Sequence, residues 1–442
     1  MKHRVNPKEA DNIIKALEGG IVPRRGIQHL LVGRNEEVQE VISILEDVKQ
    51  GGSDIRFWVG DFGSGKSFML RTIESLAVQK NFVVSTVDLT PNRRFYSSDG
   101  KAKFLYNEIV NNMVIQTSQD GNAIDTIIEE WINRIIMDVS DRDKIPLDQL
   151  LLAKNRKIIE NEILNVTSSF RSVGLSYELG QAISKYYEGI AEDNKVLRLK
   201  SLRWIRGDIG TKTEAKRELG IEGIINDDNW YDALKNLAEL FLSIGYSGFV
   251  INFDEAVNLY KLPMAQTRER NYEKILNIYN ECKSNTAKGL FVNFGATRKT
   301  VFDENRGMSS YGALKGRLGN ESSLDSKLIN TNRTALPLKP LTVEEIYTLL
   351  ENLSNIYNIH YKEDISLKTE DIQIYMEEQL NRPGAAEFLT PRAVIKDYLE
   401  ILDLIRQNPN EKIVDIIYGK FGKNPMPVSK DEANKDDDIE VL

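Results

Sequence analysis

The stretch Gly60-Asp61-Phe62-Gly63-Ser64-Gly65-Lys66-Ser67 satisfies every fixed position of the pattern Gly, any four residues, Gly, Lys, Ser or Thr. This spacing constrains the chain more than any other feature, because it reads as a phosphate-binding loop. Its glycines permit a tight turn whose backbone N–H groups point inward around an anion, and they keep side chains away from the phosphates. Lys66 would place a compact positive charge on the β- and γ-phosphates, and the Ser67 hydroxyl would be a ligand of Mg²⁺. A helix beginning near Lys66 adds the positive end of its dipole. The flanks agree. Ile55-Arg56-Phe57-Trp58-Val59 is a short apolar strand candidate, and Met69, Ile73, Leu76 and Ala77 fall at i, i+4, i+7 and i+8, one face of a helix.

Composition sets outer bounds. At 442 residues the chain has room for roughly three domains. Its 41% hydrophobic and 28% charged residues are ordinary for a globular protein. No apolar run approaches the roughly 20 residues that span a bilayer, and Met1-Lys2-His3-Arg4 opens no signal peptide; a cytosolic location without membrane contact is the expectation. Cys282 is the only cysteine, so neither an intrachain disulfide nor a thiolate cluster can form, and His3, His29 and His360 are too scattered for a zinc site. The net charge of −8, from 58 basic and 66 acidic side chains, argues against a globally basic nucleic-acid coat but leaves room for a local basic groove. Asp431, Glu432, Asp436, Asp437, Asp438 and Glu440 concentrate acidity at the end.

Before the loop, a helix is expected from Pro7 to Leu17 and another from Glu36 to Val48, with Val32-Gly33-Arg34 between them. That placement suits residues that close over the base and ribose of a nucleotide; a plain surface helix with a glycine start is the alternative. Phe82 to Val87 reads as a second buried strand. Arg93, Arg94, Phe95 and Tyr96 follow it and could stack and neutralise single-stranded nucleic acid, although a loop that merely snorkels its arginines is the preferred reading. From about Lys101 to Lys235 the pattern is helical, with amphipathic stretches at Phe104 to Val114, Ile124 to Ile136 and Ile158 to Val166. A turn is expected at Trp204 to Asp208, then a short capped helix at Thr213 to Gly220. This is far too long for a loop.

Gly248 to Phe253 is an apolar strand leading into Asp254 and Glu255. Downstream of a phosphate loop, Asp254 at the end of a neighbouring parallel strand would face Mg²⁺ through water, and Glu255 would polarise the attacking water as general base. Gly289 to Ala296 is another buried strand, ending where a γ-phosphate sensor could sit. Thr297 is the first choice, Asn293 the second, and a simple strand-end turn the alternative. Arg317, or alternatively Arg306, could reach the nucleotide of a neighbouring subunit; a solvated surface arginine is the competing reading. Thr334 to Leu341 reads as the last strand, with Leu336 and Leu338 inward and Pro337 restricting it to an edge. Thr342 to about Tyr418 is helical, and Thr390-Pro391-Arg392 starts one helix in a way that could present Arg392 toward the phosphates. The segment after Asn424 lacks apolar periodicity and is expected to be disordered.

Taken in order, the Gly33-Arg34 box, the loop at Gly60 to Ser67, Asp254-Glu255, Thr297, Arg317 and Arg392 resemble an AAA+ ATPase. Ile21 to Gly26, Val32-Gly33-Arg34, Gly60 to Ser67, Val87-Asp88-Leu89 and Trp204 to Gly207 resemble, more closely, the BrxD-type ATP-binding proteins of BREX and related phage-defence loci, over about residues 20 to 420. The resemblance implies an α/β fold of the AAA+ P-loop NTPase type, with a parallel sheet core, a helical insertion and a C-terminal helical lid. The expected division is 1–100 and 236–341 for the two parts of the core, 101–235 for the insertion, 342–423 for the lid and 424–442 for the acidic tail. It further implies ATP binding and hydrolysis, and work among other proteins of a defence locus, with single- or double-stranded DNA open as a further partner; Mg²⁺ is expected from Ser67 and Asp254, and self-association from Arg317. Remodelling or loading of a partner on DNA, and an ATP-gated switch or scaffold with slow hydrolysis, both fit these residues.

Overall fold

The computed structural model describes residues 5–170, 174–325, 330–365, 367–382 and 390–422; the acidic tail from 424 lies outside them. Two compact units are distinguished, one formed by the chain up to Gly33 together with the chain from Pro340, the other by Arg34–Lys339. The N-terminal helix, expected to open the ATPase core, thus groups with the C-terminal helices.

The larger unit is built on one six-stranded sheet: β1 (Asp54–Val59), β2 (Val83–Asp88), β3 (Met113–Val114), β4 (Phe249–Asp254), β5 (Leu290–Ala296) and β6 (Ala335–Pro337). The order is β3-β2-β4-β5-β1-β6, parallel throughout except for β3, which runs antiparallel to β2. Helices cover both faces, which is why β1, β4 and β5 are buried at every residue and why β4 and β5 read as nearly continuous apolar runs. On one face Trp58, Val84, Val250 and Phe291 pack with the apolar sides of α2 (Asn35–Lys49) and α3 (Lys66–Gln79). On the other, Phe57 stacks on Phe294 at 4.7 Å, and Phe95 packs edge-on to Phe253 at 4.9 Å.

The expected last strand is present as β6, only three residues long, on the edge where Pro337 costs no ladder bond to a further strand. Leu336 and Leu338 are buried as expected. The stretch Phe104 to Val114 is not one helix. α4 (Lys101–Asn111) ends there, and Met113 and Val114 turn to pair with Ser85 and Val84, burying both side chains at the sheet's other edge.

Between β2 and β4 the helices run α4, α5 (Ala123–Asp143), α6 (Leu147–Leu150), α7 (Arg156–Ser168), α8 (Ser176–Ala191), α9 (Lys195–Ile205), α10 (Lys212–Leu219) and α11 (Trp230–Ser243). Their interior is continuous with the sheet: Tyr106, Trp131, Trp204 and Trp230 belong to the same core as Phe57 and Phe253. Beyond β4 come α12 (Val257–Tyr260), α13 (Ala265–Lys283), α14 (Arg298–Phe302) and α15 (Gly312–Leu318).

The smaller unit contains α1 (Pro7–Glu18), α16 (Val343–Tyr361), α17 (Thr369–Leu380), α18 (Pro391–Gln407) and α19 (Ile413–Lys420). Capping boxes open α1 at Asn6/Glu9 and α16 at Thr342/Glu345, each satisfying two otherwise orphaned backbone donors. Pro391 occupies the first turn of α18 and Thr390 caps it, as the sequence predicts. Among the described residues no helix is long and apolar enough to cross a membrane.

Candidate functional site

The glycine-rich loop joins β1 to α3. Gly63 and Gly65 take φ of 80° and 95°, a left-handed backbone that side chains rarely tolerate, and this permits the loop to fold back before α3 starts at Lys66. Lys66 Nζ donates to the carbonyls of Gly60 at 3.0 Å and Asp61 at 2.7 Å, and lies 5.4 Å from the centre of the Phe62 ring, which is 70% exposed. Burial lowers the Lys66 pKa; the charges of Asp254, Glu255 and Asp61 oppose that shift. Arg34 braces the loop from α2, its guanidinium donating to the Ser64 carbonyl at 3.2 Å while pairing with Glu37.

Asp254 ends β4. The strand is not the direct neighbour of β1, as expected from sequence; β5 lies between them. The two motifs nonetheless converge. A Cβ built on Gly295 of β5 would lie 2.9 Å from Asp254 Oδ1 and 3.6 Å from Lys66 Cβ, so only a residue without a side chain leaves this junction open. Asp254 is buried and accepts the Glu255 N–H at 2.8 Å. Glu255 itself is exposed and holds φ of 55°, a strained backbone for a residue with a side chain. Such strain costs roughly 1–3 kcal/mol and clusters at functional sites.

Asp88, which sequence reasoning passed over as a candidate site residue, ends β2 in register with Asp254. Burial, and then the Asp254 charge beside it, push its pKa up. The available signal was that two parallel strands each end in an acid, but strand adjacency is needed to read it.

Thr297 follows β5 directly, is buried, and caps α14, its hydroxyl 2.8 Å from that of Thr300. Asn293 is not at the strand end. It sits in mid-strand, where its Oδ1 accepts the Trp58 indole N–H at 3.0 Å, so the sheet interior holds it. Arg306 donates to the carbonyls of Tyr260 and Leu262 and braces that loop. Arg317 is exposed on α15, donating to Asn280 Oδ1 and the Ala313 carbonyl. Of the basic and aromatic group after β2, Phe95 is fully buried and Arg93 pairs with Glu108, so the four residues do not form a stacking platform.

In the smaller unit, Arg392 donates to the Gly20 carbonyl at 2.9 Å. Val32 and Gly33 line a cavity of about 610 Å³ together with Gln28, Asn352, Asn355 and Ile356. Gly33 has φ of 63°, and a Cβ there would fall 2.4 Å from a Glu345 carboxylate oxygen, so the glycine is required twice over.

Ser67, in the first turn of α3, and Asp254, at the end of β4, offer hard oxygens of the kind Mg²⁺ takes alongside phosphates.

The family model for the BREX system ATP-binding protein BrxC/D matches residues 5–420. A search of curated proteins gave no match.

Proposed function

The chain belongs to the BREX system ATP-binding protein family BrxC/D, and from that premise we propose that it is an AAA+-type, Mg²⁺-dependent ATPase that remodels or loads partner proteins on DNA during phage defence. The observation that supports hydrolysis is that Asp254, which meets Lys66 at Gly295, is followed by a second, exposed carboxylate in Glu255, because holding the ion accounts for only one of the two. In this reading the N–H groups of the Gly60 to Ser67 loop and the Lys66 ammonium hold the phosphates, while Ser67 and Asp254 hold the ion, which supplies charge neutralisation at the phosphates when bound. Glu255 takes the proton of the attacking water, Thr297 orients the terminal phosphate, and Val32 and Gly33 are proposed to close over the base and ribose. Arg34 keeps the loop in shape. Arg392 is proposed to act from the helical lid, and Arg317 to act on a neighbouring copy.

Glu255→Gln is expected to retain ATP binding and lose turnover by about 10²- to 10⁴-fold, whereas Lys66→Ala loses binding itself. Wild-type turnover by Glu255→Gln would sink the general-base assignment. Turnover that stays slow and indifferent to added DNA would favour an ATP-gated switch instead.

A further inference from the structure

In a chain of net charge −8, the hairpin α9–α10, Lys195 to Leu219, holds eight basic side chains against three acidic ones. We propose that the solvent face of this hairpin binds the phosphate backbone of duplex DNA; it rests on the reading of the protein as an ATPase acting on DNA and names where that DNA is held.

Glu214 and Glu218 are engaged by Arg203, and Asp208 accepts from Asn107. Arg206 turns inward to Asp125, and Arg198 packs against Gly189. Lys195, Lys200 and Lys212 form no ion pair among the described residues, while Lys216 pairs with Glu222 and Arg217 with Glu218 at the exposed surface. Glu214 and Glu218 are thus held by arginines, and Lys195, Lys200 and Lys212 are the lysines left without an acidic partner. Val196 and Leu199 stand exposed among these lysines and are suited to contacts with sugars and base methyl groups. Duplex DNA fits this surface because its regular negative charge complements an unpaired cationic face.

The same hairpin is fastened to the site. Asn107 and Tyr106 of α4 donate to the carbonyls of Arg206 and Ile205, at the end of α9. α4 in turn is bound to β2, where Ser85 donates to the Ile109 carbonyl and Asn112 to that of Thr86. β2 ends at Asp88, in register with Asp254. Hydrogen bonds thus run from α9 through α4 to the strand that ends at Asp88.

The test is fluorescence anisotropy of a labelled 30-base-pair duplex against full-length wild type and the triple variant Lys195→Gln/Lys200→Gln/Lys212→Gln across a salt series, with ATP binding measured on the same samples. The expected result is at least about a tenfold loss of affinity, and a salt slope shallower by about three if each lysine meets one phosphate, with ATP binding unchanged. Equal affinity and slope for the two proteins, or no duplex binding by wild type, overturns the proposal while leaving the ATPase reading intact. Failure of wild type to bind ATP refutes that reading instead. Binding of poly-glutamate, but not the duplex, in a lysine-dependent way would reassign the face to an acidic protein and also overturn the proposal.

Discussion

The two ends of β1 both gather charged side chains, and they do so in opposite ways. At its start, Arg56 contacts Glu40 at 2.7 Å and Asp54 at 3.0 Å, Lys283 also pairs with Asp54, and the Arg56 guanidinium donates to the carbonyls of Thr331 and Arg333. At its end, Lys66, Asp254, Glu255 and Asp88 influence one another without forming any ion pair among the described residues; Lys66 Nζ touches only carbonyls. Charges that touch their opposites hold a structure together, because removing one strands the other in a low-dielectric interior. Charges held near one another but short of contact keep their capacity for a ligand, at some expense in stability.

The largest test of this contrast is Arg56→Met. It strands the part-buried Glu40 without its cation, leaves Asp54 with Lys283 alone and frees the Thr331 and Arg333 carbonyls of their donor, and is expected to cost about 3–5 kcal/mol, read as a drop of roughly 10 °C in Tm, while ATP binding of the folded protein at low temperature persists. Lys66→Ala should behave in reverse, losing ATP binding with Tm near wild type. A large Tm loss in Lys66→Ala and none in Arg56→Met would break the comparison.

A smaller effect is expected from the exposed Arg317, whose contacts with Asn280 and Ala313 are local. Mixing Arg317→Ala with Lys66→Ala protein should restore part of the turnover if the arginine acts on a neighbouring copy. No recovery at concentrations where the protein is assembled removes that role.

The smallest concerns Asp88. Its pKa is raised in the folded state, so the fold favours the protonated form, and the carboxylate weakens the fold increasingly as pH rises above the ordinary carboxylate range through the raised value. Asp88→Asn, without nucleotide or Mg²⁺, should therefore raise Tm at pH 7 on the order of 1–2 °C, the group being half exposed and screened. The gain should vanish in acid. A Tm lowered at pH 7 would place Asp88 with the structural charges instead.

Much of this was legible in the chain. Local rules placed the loop at Gly60 to Ser67, the buried strands around it, the proline start of α18 and the edge position of Pro337, since each depends on residues within a few positions of one another. Where a partner distant in sequence decided, the local pattern could not settle between its alternatives. Met113 and Val114 continue an amphipathic pattern, yet β2 offers them an open edge. Phe95 follows two arginines, yet the aromatic core claims it. Asn293 lies close to a strand end in sequence, yet Trp58 holds it inside.

The sequence alone determined that a strand, a glycine-rich turn and a helix would follow one another around Gly60 to Ser67, and that a strand ending in Asp254-Glu255 and a long run of helices would occur, because backbone turns and apolar periodicity are properties of contiguous residues. Only the tertiary structure decided that β5 separates β1 from β4, that Gly295 is the point where Lys66 and Asp254 converge, that Asp88 lies beside Asp254, and that α9–α10 turns unpaired lysines to water. Strand order and charge pairing are set by side chains far apart along the chain competing for the same buried space, and that competition has no signature in any single stretch of sequence.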